Sequence, residues 1–314
     1  MKREHVEVKE FNKVMLIYNS RSGRQLFGDM MPRINEIRKH LRNILAKDVL
    51  YDAEIKSFEQ VSQFADKACQ EQYDWVIVAG GDGTLRAVTE VFVAKKMPMP
   101  YMSIFPAGTV NLVAKELQMS IEPLEWIKRV RKGIITPVWL GKANDRVFLT
   151  VAGIGVDSLV VDNVTEQNKK LFSKFAYVYQ GTGMVKRELM KTAWQYKFQV
   201  MIDNDGIWRD AASVIVAKSR YYAGRFSLVD KASLSSPKLH VCLFTGCKRV
   251  DFLRYVALFA TDMLELDRTV KIIEAQKVDI KSNVENFAAE LDGDSLVSSP
   301  LSISLLPTPI KFIS

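Results

Sequence analysis

Residues 74–84 read Asp-Trp-Val-Ile-Val-Ala-Gly-Gly-Asp-Gly-Thr, and this stretch narrows the choice of fold more than any other in the chain. Its apolar run is of strand length, stops at two glycines, and is followed by a helix-like segment from Leu85 to Lys95. The run shows no polar alternation, so it predicts a strand buried on both faces of a sheet that helices cover from either side. Glycines at the end of such a strand let backbone N–H groups come close to an anion. The start of the following helix adds a favourable dipole. Asp82 brings a carboxylate to the same place, suited to Mg²⁺ or to a phosphoryl group in transfer. A plain tight turn is the alternative, but three glycines around one aspartate between strand and helix favour a phosphate loop.

The rhythm around this stretch repeats. Residues 13–18 (Lys-Val-Met-Leu-Ile-Tyr) predict a buried strand ending at the turn-forming Asn19-Ser20-Arg21-Ser22-Gly23. Residues 31–45 carry Ile34, Ile37, Leu41, Ile44 and Leu45 on one helical face. Residues 49–55 predict a second strand. Ser57 is placed to cap a helix with Val61, Phe64, Ala65 and Ala68 at helical spacing. A strand over 101–105, a loop and a further helix follow. Alternating strands and helices of this kind predict a doubly wound, mostly parallel sheet. After about residue 133 strand-like segments crowd together, at 136–140, 146–151, 197–202, 212–216, 239–244 and 270–275. They predict an antiparallel β domain interrupted by helices over 163–189 and 250–264. The expected class is α/β, with a nucleotide-binding domain over 1–135 and a β-sandwich domain over 136–314 whose last segment is free to return to the first.

The chain has 314 residues, which is more than one core usually fills. Lys and Arg outnumber Asp and Glu by 44 to 36, giving a formal charge of +8 that favours phosphate-bearing partners: nucleotides, anionic membranes or nucleic acid. No interleaving of aromatic and basic residues supports nucleic acid. Cys69, Cys242 and Cys247 lack metal-ligand spacing and are odd in number, which points to a reducing compartment, the cytoplasm. His5, His40 and His240 lie too far apart in sequence for a zinc site. The N-terminus is charged where a signal peptide is apolar, and no apolar run reaches the ~18–20 residues of a membrane span. Contact with a membrane is therefore expected to be peripheral.

Two more small-residue loops, Asn19 to Gly23 and Pro106-Ala107-Gly108-Thr109-Val110-Asn111, stand at the carboxyl ends of predicted strands, where open α/β sheets bind ligands. In this company the motifs resemble those of the diacylglycerol and sphingosine kinases. Asn19-Ser20-Arg21-Ser22-Gly23 resembles their N-P-x-S-G loop, Gly80 to Thr84 their G-G-D-G-T signature, and Gly108-Thr109-Val110-Asn111 their G-T-x-N segment. Val151-Ala152-Gly153-Ile154-Gly155-Val156-Asp157 is similar to A-G-I-G-F-D, Lys174-Phe175-Ala176-Tyr177 to K-x-A-Y, and Tyr222-Ala223-Gly224-Arg225-Phe226 to Y-G-G-G-F. Leu291-Asp292-Gly293-Asp294 stands where the family has D-G-E. The likeness runs in order over residues 13–295.

The resemblance implies a bacterial-type lipid kinase using ATP and Mg²⁺, with its active site between the two domains. Asn19, Ser22, Gly23, Gly80, Gly81, Gly83, Thr84, Gly108, Thr109 and Asn111 would line the ATP site. Asp82 and Asp294 would be the catalytic carboxylates, with Asp82 and Asp292 as candidate metal ligands. The acceptor would be a lipid hydroxyl at a membrane surface, diacylglycerol foremost, and a homodimer is admitted as the assembly. Three departures from the family pattern stand out. Asp294 replaces a glutamate, Leu112 replaces the aspartate that follows G-T-x-N in many relatives, and Ser235-Ser236-Pro237-Lys238 replaces an acidic turn that holds a structural Mg²⁺ in some. A NAD-kinase-like enzyme, which shares G-G-D-G-T, and a catalytically silent binding protein remain the alternatives. For the membrane side, Lys128-Arg129-Val130-Arg131-Lys132 and the cations Arg33, Arg38, Lys39 and Arg42 are candidate contacts. Residues 186–194 are a candidate interfacial segment, and Leu171, Phe172, Phe175 and Tyr179 a candidate acyl-chain stripe.

Overall fold

The computed structural model describes residues 4–19, 29–155, 197–222, 226–283, 287–298 and 300–314. The chain divides into two compact units, residues 1–138 with 308–314, and residues 139–307.

In the first unit, β1 (Val14–Tyr18), β2 (Leu50–Glu54), β3 (Trp75–Gly80) and β4 (Tyr101–Pro106) form a parallel sheet in the order β2-β1-β3-β4. Helices α1 (Met31–Ile44), α2 (Phe58–Gln70) and α3 (Asp82–Lys95) make the crossovers, followed by the short α4 (Leu112–Glu116) and by α5 (Pro123–Val130). Every residue of β1 and β3 is buried, as an all-apolar run requires when helices cover both faces. α1 packs with α5, and α2 with α3. Ile34, Ile37 and Leu41 are the buried stripe of α1, as their spacing predicts.

The sheet is completed from far along the chain. The C-terminal strand Ile310–Ile313 lies parallel to β4 on one side and antiparallel to β5 (Ile135–Val138) on the other. The buried Ser103 hydroxyl donates to the carbonyl of Ile313 at 2.8 Å and accepts from Trp75 Nε1 at 3.1 Å, tying β3, β4 and the last strand together.

The second unit is a pair of antiparallel sheets. One contains β6 (Gly141–Ala143), β7 (Arg146–Phe148), β9 (Phe198–Ile202), β10 (Arg209–Ala211), β16 (Lys277–Ser282) and β19 (Leu301–Leu305). The other contains β8 (Val151–Ile154), β11 (Ser213–Ala217), β14 (Leu239–Phe244), β15 (Val270–Ala275), β17 (Phe287–Leu291) and β18 (Asp294–Ser298), while β12 (Tyr221–Tyr222) and β13 (Phe226–Ser227) pair with each other. Their inner faces share one core, in which Phe198 of the first sheet meets Phe287 of the second at 5.2 Å between ring centres. The outer face of β11 and β14 is covered by α6 (Arg249–Ala260) and the 3₁₀ turn Leu264–Leu266, which bury Tyr255 and Leu264 against Ile215, Cys242 and Phe244. The expected α/β class with a β-sandwich second half is borne out. The expected strand over 146–151 is broken into β7 and β8 by a turn at Leu149-Thr150. The helix expected over 163–189 lies outside the described residues.

Candidate active site

With the order β2-β1-β3-β4, β1 connects towards one edge of the sheet and β3 towards the other. The switch point falls between these two strands, and ligands of open α/β sheets bind beyond the carboxyl ends there. Asn19 follows β1 at that point, and the Gly80–Thr84 turn follows β3. The 106–111 loop follows β4, next in the sheet.

The glycines have separate uses. A Cβ on Gly108 would lie 2.4 Å from the Cα of Gly81, so these two loops touch backbone to backbone. A Cβ on Gly80 would meet the Thr84 side chain at 3.0 Å. Around Gly83, in the first turn of α3, a Cβ would meet nothing within 4 Å. No side chain caps α3 at Gly81, so its first N–H groups are offered to whatever fills that open space.

Asn111 and Asp82 hold this cradle in shape. Asn111 sits at φ 55, a left-handed conformation that asparagine tolerates better than most residues. Its Oδ1 accepts from the Gly108 N–H at 2.9 Å, and its Nδ2 donates to the Gly108 carbonyl at 2.8 Å. The Asp82 carboxylate reaches across to α4 and accepts from the N–H groups of Leu112 and Val113 at 2.8 and 3.1 Å. It thereby caps a helix that has no cap of its own.

In the second unit, β17 and β18 are joined by the two-residue turn Asp292-Gly293, with φ of 52 and 87, the left-handed pair that such a hairpin needs. The Asp292 side chain turns inward over the break between β7 and β8. It accepts from Leu149 N at 2.7 Å, Thr150 N at 2.8 Å, Thr150 Oγ1 at 2.7 Å and Val151 N at 3.2 Å. Burial pushes this carboxyl above the usual range, against the pull of those four donors. Asp294 opens β18 and is exposed. The buried Glu290 accepts from the Gly293 N–H at 2.6 Å.

Residues 13–143 match the diacylglycerol kinase catalytic domain, and residues 150–314, more than half of the chain, match the YegS C-terminal NAD kinase beta sandwich-like domain. The chain belongs to the diacylglycerol kinase family of lipid kinases. A Streptococcus pneumoniae protein with a provisional lipid-kinase name is 26% identical to this lipid kinase over 314 residues, which is 96% of this chain and 98% of that one. A diacylglycerol kinase of Staphylococcus saprophyticus is 28% identical over 232 residues, 71% of this chain and 69% of its own. The crystal structure of a diacylglycerol kinase from Bacillus anthracis shares the fold at a TM-score of 0.73, with 97% of both chains covered and 20% identity. The lipid kinase is thus a phosphotransferase acting on an alcohol, and it uses a nucleotide.

Several expected site residues also make contacts within the chain. Gly108 and Asn111 shape the loop from within: the first allows close approach and the second closes the turn on itself. Thr109 and Val110 are its exposed tip. Asp82 ties two loops together through both carboxylate oxygens. Asp292, a candidate metal ligand, has its oxygens engaged by four donors of residues 149–151 and is a structural staple. Ser22 and Gly23 lie outside the described residues, as do residues 156–196 with the K-x-A-Y segment, the candidate acyl stripe and the candidate interfacial segment.

Sequence reasoning missed three residues of this lipid kinase. Thr150 anchors Asp292, Glu290 supports the hairpin turn, and Lys218, fully buried, donates from its ammonium to the carbonyl of Ser233. Nothing local marks them, since each matters through a partner distant in sequence. Among the candidate membrane cations, Arg38 and Arg42 are paired with Asp52 at 2.7 and 2.8 Å, and Lys128 with Glu125 at 2.8 Å. No described helix is long and apolar enough to cross a membrane.

Proposed function

We propose that the protein transfers the γ-phosphoryl group of ATP, as its magnesium complex, to the hydroxyl of a membrane lipid, with diacylglycerol as acceptor and phosphatidic acid as product. The observation that carries this reading is the cradle at the switch point. Gly81 and Gly108 bring two backbones together beside the uncapped start of α3, and Gly83 leaves that space open. A polyphosphate fits there because backbone N–H groups and the helix dipole both favour an anion. Phosphoryl transfer demands chiefly positioning and charge neutralisation, and a rigid cradle supplies positioning. Magnesium arrives bound to the triphosphate. The oxygens of Asp82 and Asp292 face backbone donors, so neither is given a metal-binding role here.

The acceptor hydroxyl must lose its proton. Asp294, exposed at the start of β18, is the proposed base, a role worth about 10²–10⁴-fold in rate. Asp292 positions it by fixing the hairpin turn. The diacylglycerol kinase names of relatives such as the Staphylococcus saprophyticus protein support the choice of acceptor.

The test is transfer of labelled γ-phosphate from ATP, with and without Mg²⁺, to diacylglycerol, sphingosine and monoacylglycerol in mixed micelles. NAD and fructose 6-phosphate serve as soluble controls. Labelled phosphatidic acid as the main product is expected. Labelling of NAD in its place would overturn the proposal, and labelling of another lipid would replace the acceptor.

A further inference from the structure

β17 buries an acid. Its side chains alternate between two faces, and Phe287, Ala289 and Leu291 fill the core between the two sheets. Glu290 therefore points to the opposite face, where a carboxylate normally reaches water, yet it is only 2% exposed. Taking a carboxylate out of water costs free energy unless hydrogen bonds replace the hydration. β17 is an inner strand, and Glu290 stands opposite Gly153 of β8 on one side and Ser295 of β18 on the other. A glycine and a serine leave room beside it. The carboxylate uses that room to run along its own strand to the turn, where Oε2 takes the Gly293 N–H at 2.6 Å.

That turn carries Asp294, and its two residues are held from different places. Asp292 donates its N–H to the Val151 carbonyl at 3.0 Å, and its carboxylate accepts from residues 149–151. Gly293, at φ 87, has no side chain with which to anchor itself, and a Cβ there would meet nothing within 4 Å. Glu290 supplies from β17 the anchor that the glycine lacks. Asp294 follows Gly293 directly and pairs across the hairpin with Leu291, so its backbone is set by the peptide planes of the turn.

We infer that Glu290 is a positioning residue for phosphoryl transfer: by holding the Gly293 amide, it fixes the direction in which Asp294 presents its carboxylate to the acceptor hydroxyl. The role rests on the proposed reading of Asp294 as the base. A base works only while its oxygen stays within hydrogen-bond reach of the proton it takes, and a displacement of about 1 Å can cost about 10²-fold in rate. Aspartate has a short side chain and little reach with which to correct a displaced backbone. A turn held at both of its residues removes that freedom before the substrate arrives.

The experiment compares wild type, Glu290→Ala and Glu290→Gln in the mixed-micelle assay with ATP and the lipid panel, below all three melting midpoints. A glutamine oxygen can still accept from the Gly293 N–H, and alanine cannot. Glu290→Ala is expected to lower kcat by roughly tenfold to a hundredfold with KM for ATP unchanged. Glu290→Gln should recover kcat to within roughly threefold of wild type, since it keeps the bond and loses only the charge that strengthens it. Hydrogen exchange gives a readout that needs no turnover: the Gly293 amide should exchange roughly fivefold faster in Glu290→Ala and near the wild-type rate in Glu290→Gln. Three results would overturn the role and leave the lipid-kinase reading intact: wild-type kcat in Glu290→Ala, a lowered kcat with Gly293 exchange unchanged, or Glu290→Gln as slow as Glu290→Ala. Wild-type protein that labels no lipid would refute the proposed reaction, and this role with it.

Discussion

Adding one methyl group at Gly108 tests whether the loops after β3 and β4 form the nucleotide cradle. In Gly108→Ala the new carbon would lie 2.4 Å from Gly81 Cα, 2.7 Å from Asn111 Oδ1 and 3.1 Å from Gly81 N. Non-bonded carbons rest about 3.5–4.0 Å apart, so the two backbones must separate by about 1 Å. Overpacking of that kind costs about 1–3 kcal/mol, and straining the Asn111–Gly108 pair adds about one hydrogen bond, ~1 kcal/mol. The sum, roughly 2–4 kcal/mol, should lower the melting midpoint of the first unit by roughly 5–15 °C. Gly83→Ala is the matched control. It meets no atom within 4 Å, and alanine suits a helix better than glycine by about 0.5–1 kcal/mol. Its midpoint should hold or rise, yet its methyl occupies the space assigned to phosphate, and ATP affinity should fall by about tenfold or more. Calorimetric melting and titration with ATP read the two effects separately. Gly108→Ala melting with the wild type would refute the packing argument; Gly83→Ala binding ATP as tightly as wild type would refute the cradle.

Three further substitutions probe the second unit. Asp292→Ala strands three backbone N–H groups and the Thr150 hydroxyl, so urea unfolding should show a loss of about 3–5 kcal/mol; a loss under 1 kcal/mol would show the turn satisfied by other means. His240 is held below its ordinary pKa of 6.5 by burial, against Glu274 and with Lys218 and Lys238 acting in the same sense. The unfolded chain therefore gains this proton first, and stability should decline as pH falls below about 6.5, a slope that His240→Gln should abolish in urea midpoints taken from pH 7.5 to 5. Asp267 is raised by burial but lowered further by Arg254 and Thr269, to about 2 from 3.8. Its stabilisation is complete above pH 3.8 and is lost as pH falls towards 2. Asp267→Asn should remove that acid limb of the stability curve and cost about 1.5–3 kcal/mol at neutral pH, and an unchanged limb would exclude the pair as its cause.

Much of the first unit could be read along the chain. Seven apolar or amphipathic segments and three small-residue loops at strand ends, the glycine-rich one among them, placed β1, β3 and β4 within a residue or two. Such signals are local: burial on two faces demands an unbroken apolar run, and a backbone that must approach an anion demands glycine. The family likeness rested on the same short motifs.

Other features depended on partners distant in sequence. The Ser103–Ile313 bond joins residues 210 apart and, with the pairing of the last strand to β4 and β5, completes the first sheet. Asn111 read as a ligand residue from its motif, but its amide is turned back on Gly108. Asp292 read as a metal ligand, but a turn 141–143 residues earlier presents four donors to it. Leu112 read as a lost acid, and its backbone N–H turned out to be what Asp82 holds. A sequence states which groups a residue carries and the backbone angles it tolerates. Whether a carboxylate meets a metal, a substrate or three N–H groups depends on which strands lie side by side, and strand order and register are decided only when the whole sheet assembles.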